Sequence, residues 1–142
     1  MWNSGYIQDI KRLEAVQRLW TRHILGLQDK EYGVRLQALN LFSVKGRFLR
    51  ADIIKCWKIF HGHCHISPEM LWDLNVDSRT RGHTLKIKSC RGQVDARTRF
   101  FSHRVVRDWN GLPGWLVQEH SLPQFKKGLA TALGDKLYEY VP

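Results

Sequence analysis

Acidic residues are scarce in this chain: 13 Asp and Glu face 23 Lys and Arg, leaving a formal charge of +10 over 142 residues. Cysteine is scarce too. Three residues (Cys56, Cys64 and Cys90), an odd number without tight pairing, argue against a disulfide framework and for a reduced, intracellular setting, nuclear or cytoplasmic. Long apolar runs are missing, which excludes a transmembrane helix, and no membrane partner is expected. The opening Met1-Trp2-Asn3-Ser4-Gly5 has neither a basic n-region nor an apolar h-region, so no signal peptide is read there. Repeats, low-complexity tracts and long linkers are also missing.

Apolar residues make up 43% of the chain, and six Trp, six Phe and four Tyr are too much apolar surface to leave in water. One ordinary globular domain over 1–142 is the expectation. The positive charge is unevenly placed within it. Between Arg79 and Arg107 stand nine cations (Arg79, Arg81, Lys86, Lys88, Arg91, Arg97, Arg99, Arg104 and Arg107) against one acid, Asp95. Leu85, Ile87, Val94, Phe100, Phe101, Val105 and Val106 interrupt them, so the segment reads as folded. Seven of the nine are Arg, whose planar fork pairs bidentately with phosphate. Such uneven charge is the electrostatic mark of a polyanion partner, here nucleic acid.

Periodicity assigns most of the chain to helices. Tyr6, Ile10, Leu13, Val16, Trp20, Ile24 and Leu27 fall within a stripe of about 120°, predicting an amphipathic helix that Gly26 stops. Asp29 can cap a second helix with Tyr32, Leu36 and Leu39 on one face. A third, over about 44–61, carries Leu49, Ile53, Cys56 and Phe60 with Trp57 beside them, and is predicted to be central. Ser67-Pro68-Glu69 opens a short helix. Leu85 and Ile87 alternate with Lys86 and Lys88, predicting a strand over 84–89; Arg91-Gly92 predicts a turn and 94–101 a return strand. Ser102 can cap a helix bearing Val105, Trp109 and Leu112. Ser121 with Gln124 opens the last one, striped by Leu122, Phe125, Leu129 and Leu133. Trp20, Trp57 and Trp109 each sit on an apolar stripe and are predicted core residues. The fold class expected is mainly α: a small helical domain with a short β-hairpin in the second half.

Signatures of catalysis are missing. There is no GxSxG, HExxH, GxxxxGK[ST] or GxGxxG, and no two acids are adjacent in the manner of paired Mg²⁺-binding carboxylates. Cys56, His61, His63, Cys64 and His65 crowd five potential Zn²⁺ ligands into ten residues, but without a CxxC pair. Neither a metal nor a cofactor is expected, and the His61–His65 stretch reads as a polar loop.

Several stretches, taken in order, resemble reverse transcriptases of non-LTR (LINE-type) retrotransposons. Asp9-Ile10 … Leu13-Glu14 … Val16-Gln17-Arg18 … Thr21-Arg22 … Gly26-Leu27 is similar to the family's thumb helix. It is followed by Tyr32 … Arg35-Leu36 … Leu39-Asn40-Leu41 and Arg47 … Arg50-Ala51-Asp52 … Lys58-Ile59-Phe60-His61-Gly62. The run Ser78-Arg79-Thr80-Arg81-Gly82-His83 … Leu85-Lys86 resembles the post-thumb region. So do Phe100-Phe101-Ser102 … Arg104-Val105-Val106 … Asp108-Trp109-Asn110 … Leu112-Pro113 and Ser121 … Phe125-Lys126 … Leu129. The resemblance implies a thumb-like helical part over 1–75 and a basic hairpin plus two C-terminal helices over 76–142. The family's polymerase aspartates belong to a palm with no counterpart in this sequence, so no catalytic residue carries over. What is implied is a detached, non-catalytic fragment of an RNA-directed DNA polymerase, with a separate or upstream palm as a further partner.

The expected function is backbone binding of RNA, DNA or a hybrid duplex through the nine cations. Alternatives are an inert translated remnant, whose exposed apolar face would mark a missing neighbour, and a DNA-binding regulator using helices two and three.

Overall fold

The computed structural model describes residues 5–75, 82–88 and 98–142. They fall into two compact units, one comprising residues up to Arg50 with Leu133–Pro142, the other Ala51–Ala132. Helices α1 (Ile7–Arg22), α2 (Tyr32–Ala38), α3 (Val44–Phe60), α4 (Phe101–Asn110), α5 (Gly114–Val117) and α6 (Leu122–Leu133) carry the fold, with 3-10 turns at Pro68–Met70 and Gly134–Leu137. Helix α3 supplies residues to both units.

In the first unit α1 turns a polar edge inward. Glu14 and Thr21, seven residues apart and so on one side of a helix, are fully buried. Glu14 accepts hydrogen bonds from the Tyr32 hydroxyl and from the Val44 N–H at 3.0 Å, so one carboxylate ties α1 to the starts of α2 and α3. Thr21 Oγ1 accepts from Arg35 Nε at 3.3 Å, and Arg35 also reaches the Arg18 carbonyl. The guanidinium groups of Arg18 and Arg35 lie 5.0 and 5.5 Å from the Tyr32 ring centroid, within cation–π range. Desolvation, helped by Glu14, pushes the Tyr32 phenol well above its ordinary pKa, so it stays a donor.

The C-terminal segment closes this unit at the start of α3. Ser43 caps α3 by accepting the Gly46 N–H at 3.0 Å, while its own N–H donates to the Leu137 carbonyl at 3.0 Å. Gly46 is required there for space: a Cβ would lie 2.1 Å from the Leu137 oxygen. Leu36, Val44 and Leu137 are buried in the same unit.

Trp20 corrects the sequence expectation. It is 62% exposed, as Val16 and Leu13 are exposed, because the buried edge of α1 is the one bearing Glu14 and Thr21. Trp20→Ala is therefore expected to leave unfolding free energy within about 0.5 kcal/mol of the unmodified chain, as exposed positions usually do. A urea titration reads this directly, and a loss of several kcal/mol would place Trp20 in a core.

The second unit has the aromatic core that the periodicity predicts. Trp57 and Trp109 are fully buried, with Ile53, Cys56, Leu116, Phe125 and Leu129. Phe60 stacks on Trp72 and Trp109 at 5.7 and 5.1 Å, each pair within 3° of parallel. Each indole N–H finds a carbonyl: Trp57 on Glu119 (2.9 Å), Trp72 on Ser102 (2.6 Å) and Trp109 on Leu85 (2.8 Å). This is what a buried indole requires, because an unpaired N–H away from water is costly.

The β-hairpin is not present among the described residues, and the fold class is corrected to mainly α-helical. Ile87 forms only an isolated antiparallel bridge with Leu74, a partner that precedes it in the chain. Asn75 N–H donates to Lys86 O, and Lys88 N–H to Asp73 O. On the other edge the Asn110 amide takes both backbone groups of Ile87, accepting its N–H at 3.0 Å and donating to its carbonyl at 2.8 Å. With both edges occupied, no backbone pairing is left at Ile87 for a return strand. The predicted Arg91-Gly92 turn and most of 94–101 lie outside the described residues.

Candidate nucleic-acid interface

Of the nine candidate cations, Arg79, Arg81, Arg91 and Arg97 lie outside the described residues. Lys86, Lys88, Arg99, Arg104 and Arg107 all belong to the second unit.

Lys86 and Lys88 flank Ile87, which is 2% exposed, so the alternation read from the sequence does direct Ile87 inward. Lys88 is exposed and Lys86 half-buried. Their backbone is held by the C-terminal turn of α4. Trp109 Nε1 donates to Leu85 O, Asn110 brackets Ile87, and His83 Nε2 donates to Trp109 O at 3.1 Å. Trp109 and Asn110 are thus positioning residues for the lysine-bearing segment. Periodicity alone assigns Trp109 a packing role and says nothing of Asn110. His83 is 4% exposed, and burial pulls its imidazole below the usual range. It is neutral near pH 7 and adds no charge to the cluster.

Arg104, one of the nine expected backbone-binding cations, is taken up by contacts within the unit. Its Nε and Nη2 donate to the two oxygens of Asp52 at 2.6 and 2.9 Å, and Nη1 donates to the Arg99 carbonyl at 2.7 Å. A half-buried bidentate pair of this kind is strong and directional, so Arg104 fastens α4 to α3 within the unit. Arg107 is exposed one turn later, and Arg99 is half-buried just before α4. Phe100, an apolar interruption of the cationic run in the sequence, is 65% exposed beside Arg99.

The histidine-rich loop is built around Trp57. His61 and His63 stack on that indole at 4.3 and 5.1 Å, and His61 Nε2 donates to Val117 O at 3.0 Å. Cys56 is fully buried, and desolvation drives its thiol far above the ordinary range, which keeps it protonated. Among the described residues no three His, Cys, Asp or Glu side chains form a group that could hold a metal ion.

The description of the chain as a thumb domain is corrected on the same ground as the fold class: its mixture of helices and a hairpin is not what the described residues form. No family model, no curated protein and no solved structure matches the chain, so nothing among known proteins supports the resemblance to retrotransposon reverse transcriptases.

Proposed function

We propose that this chain is a non-catalytic module that binds the backbone of RNA, DNA or a hybrid duplex. In this reading it is a fragment of an RNA-directed DNA polymerase. The observation that carries the binding is the concentration of nine cations against one acid between Arg79 and Arg107. Exposed Lys88 and Arg107 are its described members best placed to meet phosphate, while Arg104 serves Asp52. The absence of adjacent acids in the sequence supports a non-catalytic role. The polymerase origin rests on the ordered resemblance from Trp2 to about Leu133.

The test is a salt titration of affinity with Arg79, Arg81, Lys86 and Lys88 changed together to Gln. Neutralising one phosphate-binding cation is expected to lower the slope of log affinity against log salt by about 0.9 on duplex DNA and about 0.7 on a single strand. The effect should be nearly equal for unrelated sequences. A slope matching that of the unmodified chain would refute the assignment of this segment. Failure of both proteins to bind would favour the second reading, an inert remnant, which the exposed apolar side chains of α1 also favour.

A further inference from the structure

The exposed side of α1 is half of a groove. Leu13, Val16 and Trp20 form one wall and Val44 and Phe48 of α3 the other, around a volume of about 500 Å³. Its polar lining is Gln17 and Arg47, and these are already engaged. Arg47 donates to Gln17 Oε1, and the Gln17 amide donates to the Phe42 carbonyl at 3.1 Å. Few polar groups are left to orient a small molecule. All seven lining residues belong to the first unit, so the groove is built without any of the nine cations.

Two cations stand beside the groove. Arg47 is exposed on the α3 wall. Arg12 is exposed on α1, one turn before Val16. Of the two acids of α1, Glu14 is buried away from the groove, and Asp9 is half-buried in the first turn, one turn before Leu13. From Leu13 to Trp20 the apolar wall runs seven residues, about 10 Å or two helical turns. We propose that this groove docks an amphipathic helix of a partner protein, with an apolar stripe and acidic flanks.

Each part of that description follows from the groove. Spacing of Leu13, Val16 and Trp20 at i, i+3 and i+7 accepts side chains repeating at helical period. Acids on the flanks of the incoming helix meet Arg12 and Arg47 at the rim, which selects this partner over others and speeds encounter. A second copy of the chain would bring like charges together at the same rim. A lipid surface is disfavoured because the apolar residues line a concavity between two helices and not a convex ridge.

The experiment is a display selection with 18-residue amphipathic helices randomised at their apolar and flanking positions, run on the full chain and against Trp20→Ser. Enriched peptides should carry Asp or Glu on both flanks. They should bind the unmodified chain at least tenfold more tightly than Trp20→Ser, with the melting curve unchanged. Arg12→Glu combined with Arg47→Glu should weaken them at least tenfold and favour Lys-flanked versions instead. Enrichment that ignores Trp20→Ser, or that selects neutral or basic flanks, overturns the proposal. So does a Trp20-dependent dimer in sedimentation equilibrium, or Trp20-dependent binding to phosphatidylcholine–phosphatidylglycerol vesicles. Changing Arg79, Arg81, Lys86 and Lys88 to Gln should leave peptide affinity intact, which separates this site from the nucleic-acid reading.

Discussion

Trp109→Ala is expected to lower the unfolding free energy by ~3–5 kcal/mol, the usual range for truncating a buried aromatic. The indole is fully buried, stacks on Phe60, and donates its N–H to Leu85. Truncation leaves a cavity beside that stack and a carbonyl without its donor. Because Leu85 belongs to the segment presenting Lys86 and Lys88, the same change should loosen that segment and raise amide exchange over 85–88. Urea denaturation measures the first effect and hydrogen exchange the second. A variant as stable as the unmodified chain that no longer bound nucleic acid would show that Trp109 is a stacking surface and not a core residue. Trp20→Ala provides the contrast, since the same substitution on α1 touches no core.

Glu14→Ala is expected to have a comparable effect by different physics. The carboxylate is fully buried, and each of its oxygens serves one donor, the Tyr32 hydroxyl and the Val44 N–H. Removing it strands both donors, at ~1–3 kcal/mol each for buried unsatisfied groups, before any cavity is counted. Tyr32→Phe removes one of those donors. In the double variant the second change should therefore cost less than it does alone, with a coupling above ~0.5 kcal/mol. Strict additivity in urea denaturation would mean that the two side chains do not interact. Glu14→Gln should fall between the extremes. It keeps the size and one acceptor but can turn an N–H toward a donor.

The helices are legible in the sequence because their signal is local. α3, α4 and α6 follow apolar periods that the sequence displays, and Trp57 and Trp109 are buried where those periods put them. Helix α1 is legible as a helix, but it ends at Arg22 and not at Gly26, and its orientation is not legible. Its apolar stripe argues for burial of Trp20, yet the edge that packs is the one carrying Glu14. A carboxylate can be buried once a phenol 18 residues away and a backbone N–H 30 residues away converge on it. No window of the sequence contains those partners. The hairpin fails for a related reason. Alternation over 84–88 is real, but the partners of its backbone are a preceding segment and the amide of Asn110, 23 residues on. In the candidate site the concentration of positive charge is legible. The role of Arg104 is not, because Asp52 lies 52 residues earlier.

The close approach of Gly46 to Leu137 bears on how the chain is made. Residues up to Arg50 leave the ribosome before Ala51–Ala132, but the unit they belong to also needs Leu133–Pro142, which follow that stretch. Ala51–Ala132 is available for folding before Leu133–Pro142 appear. The order in which the two units can be completed is thus the reverse of the order in which their first residues are made. Closure also spans the whole intervening stretch, an entropic cost that folding of Ala51–Ala132 beforehand reduces by shortening the flexible loop. Until Leu137 is in place, helices α1 and α2 and the start of α3 wait without the segment that seals them. That interval is when a nascent chain is most open to proteases and chaperones.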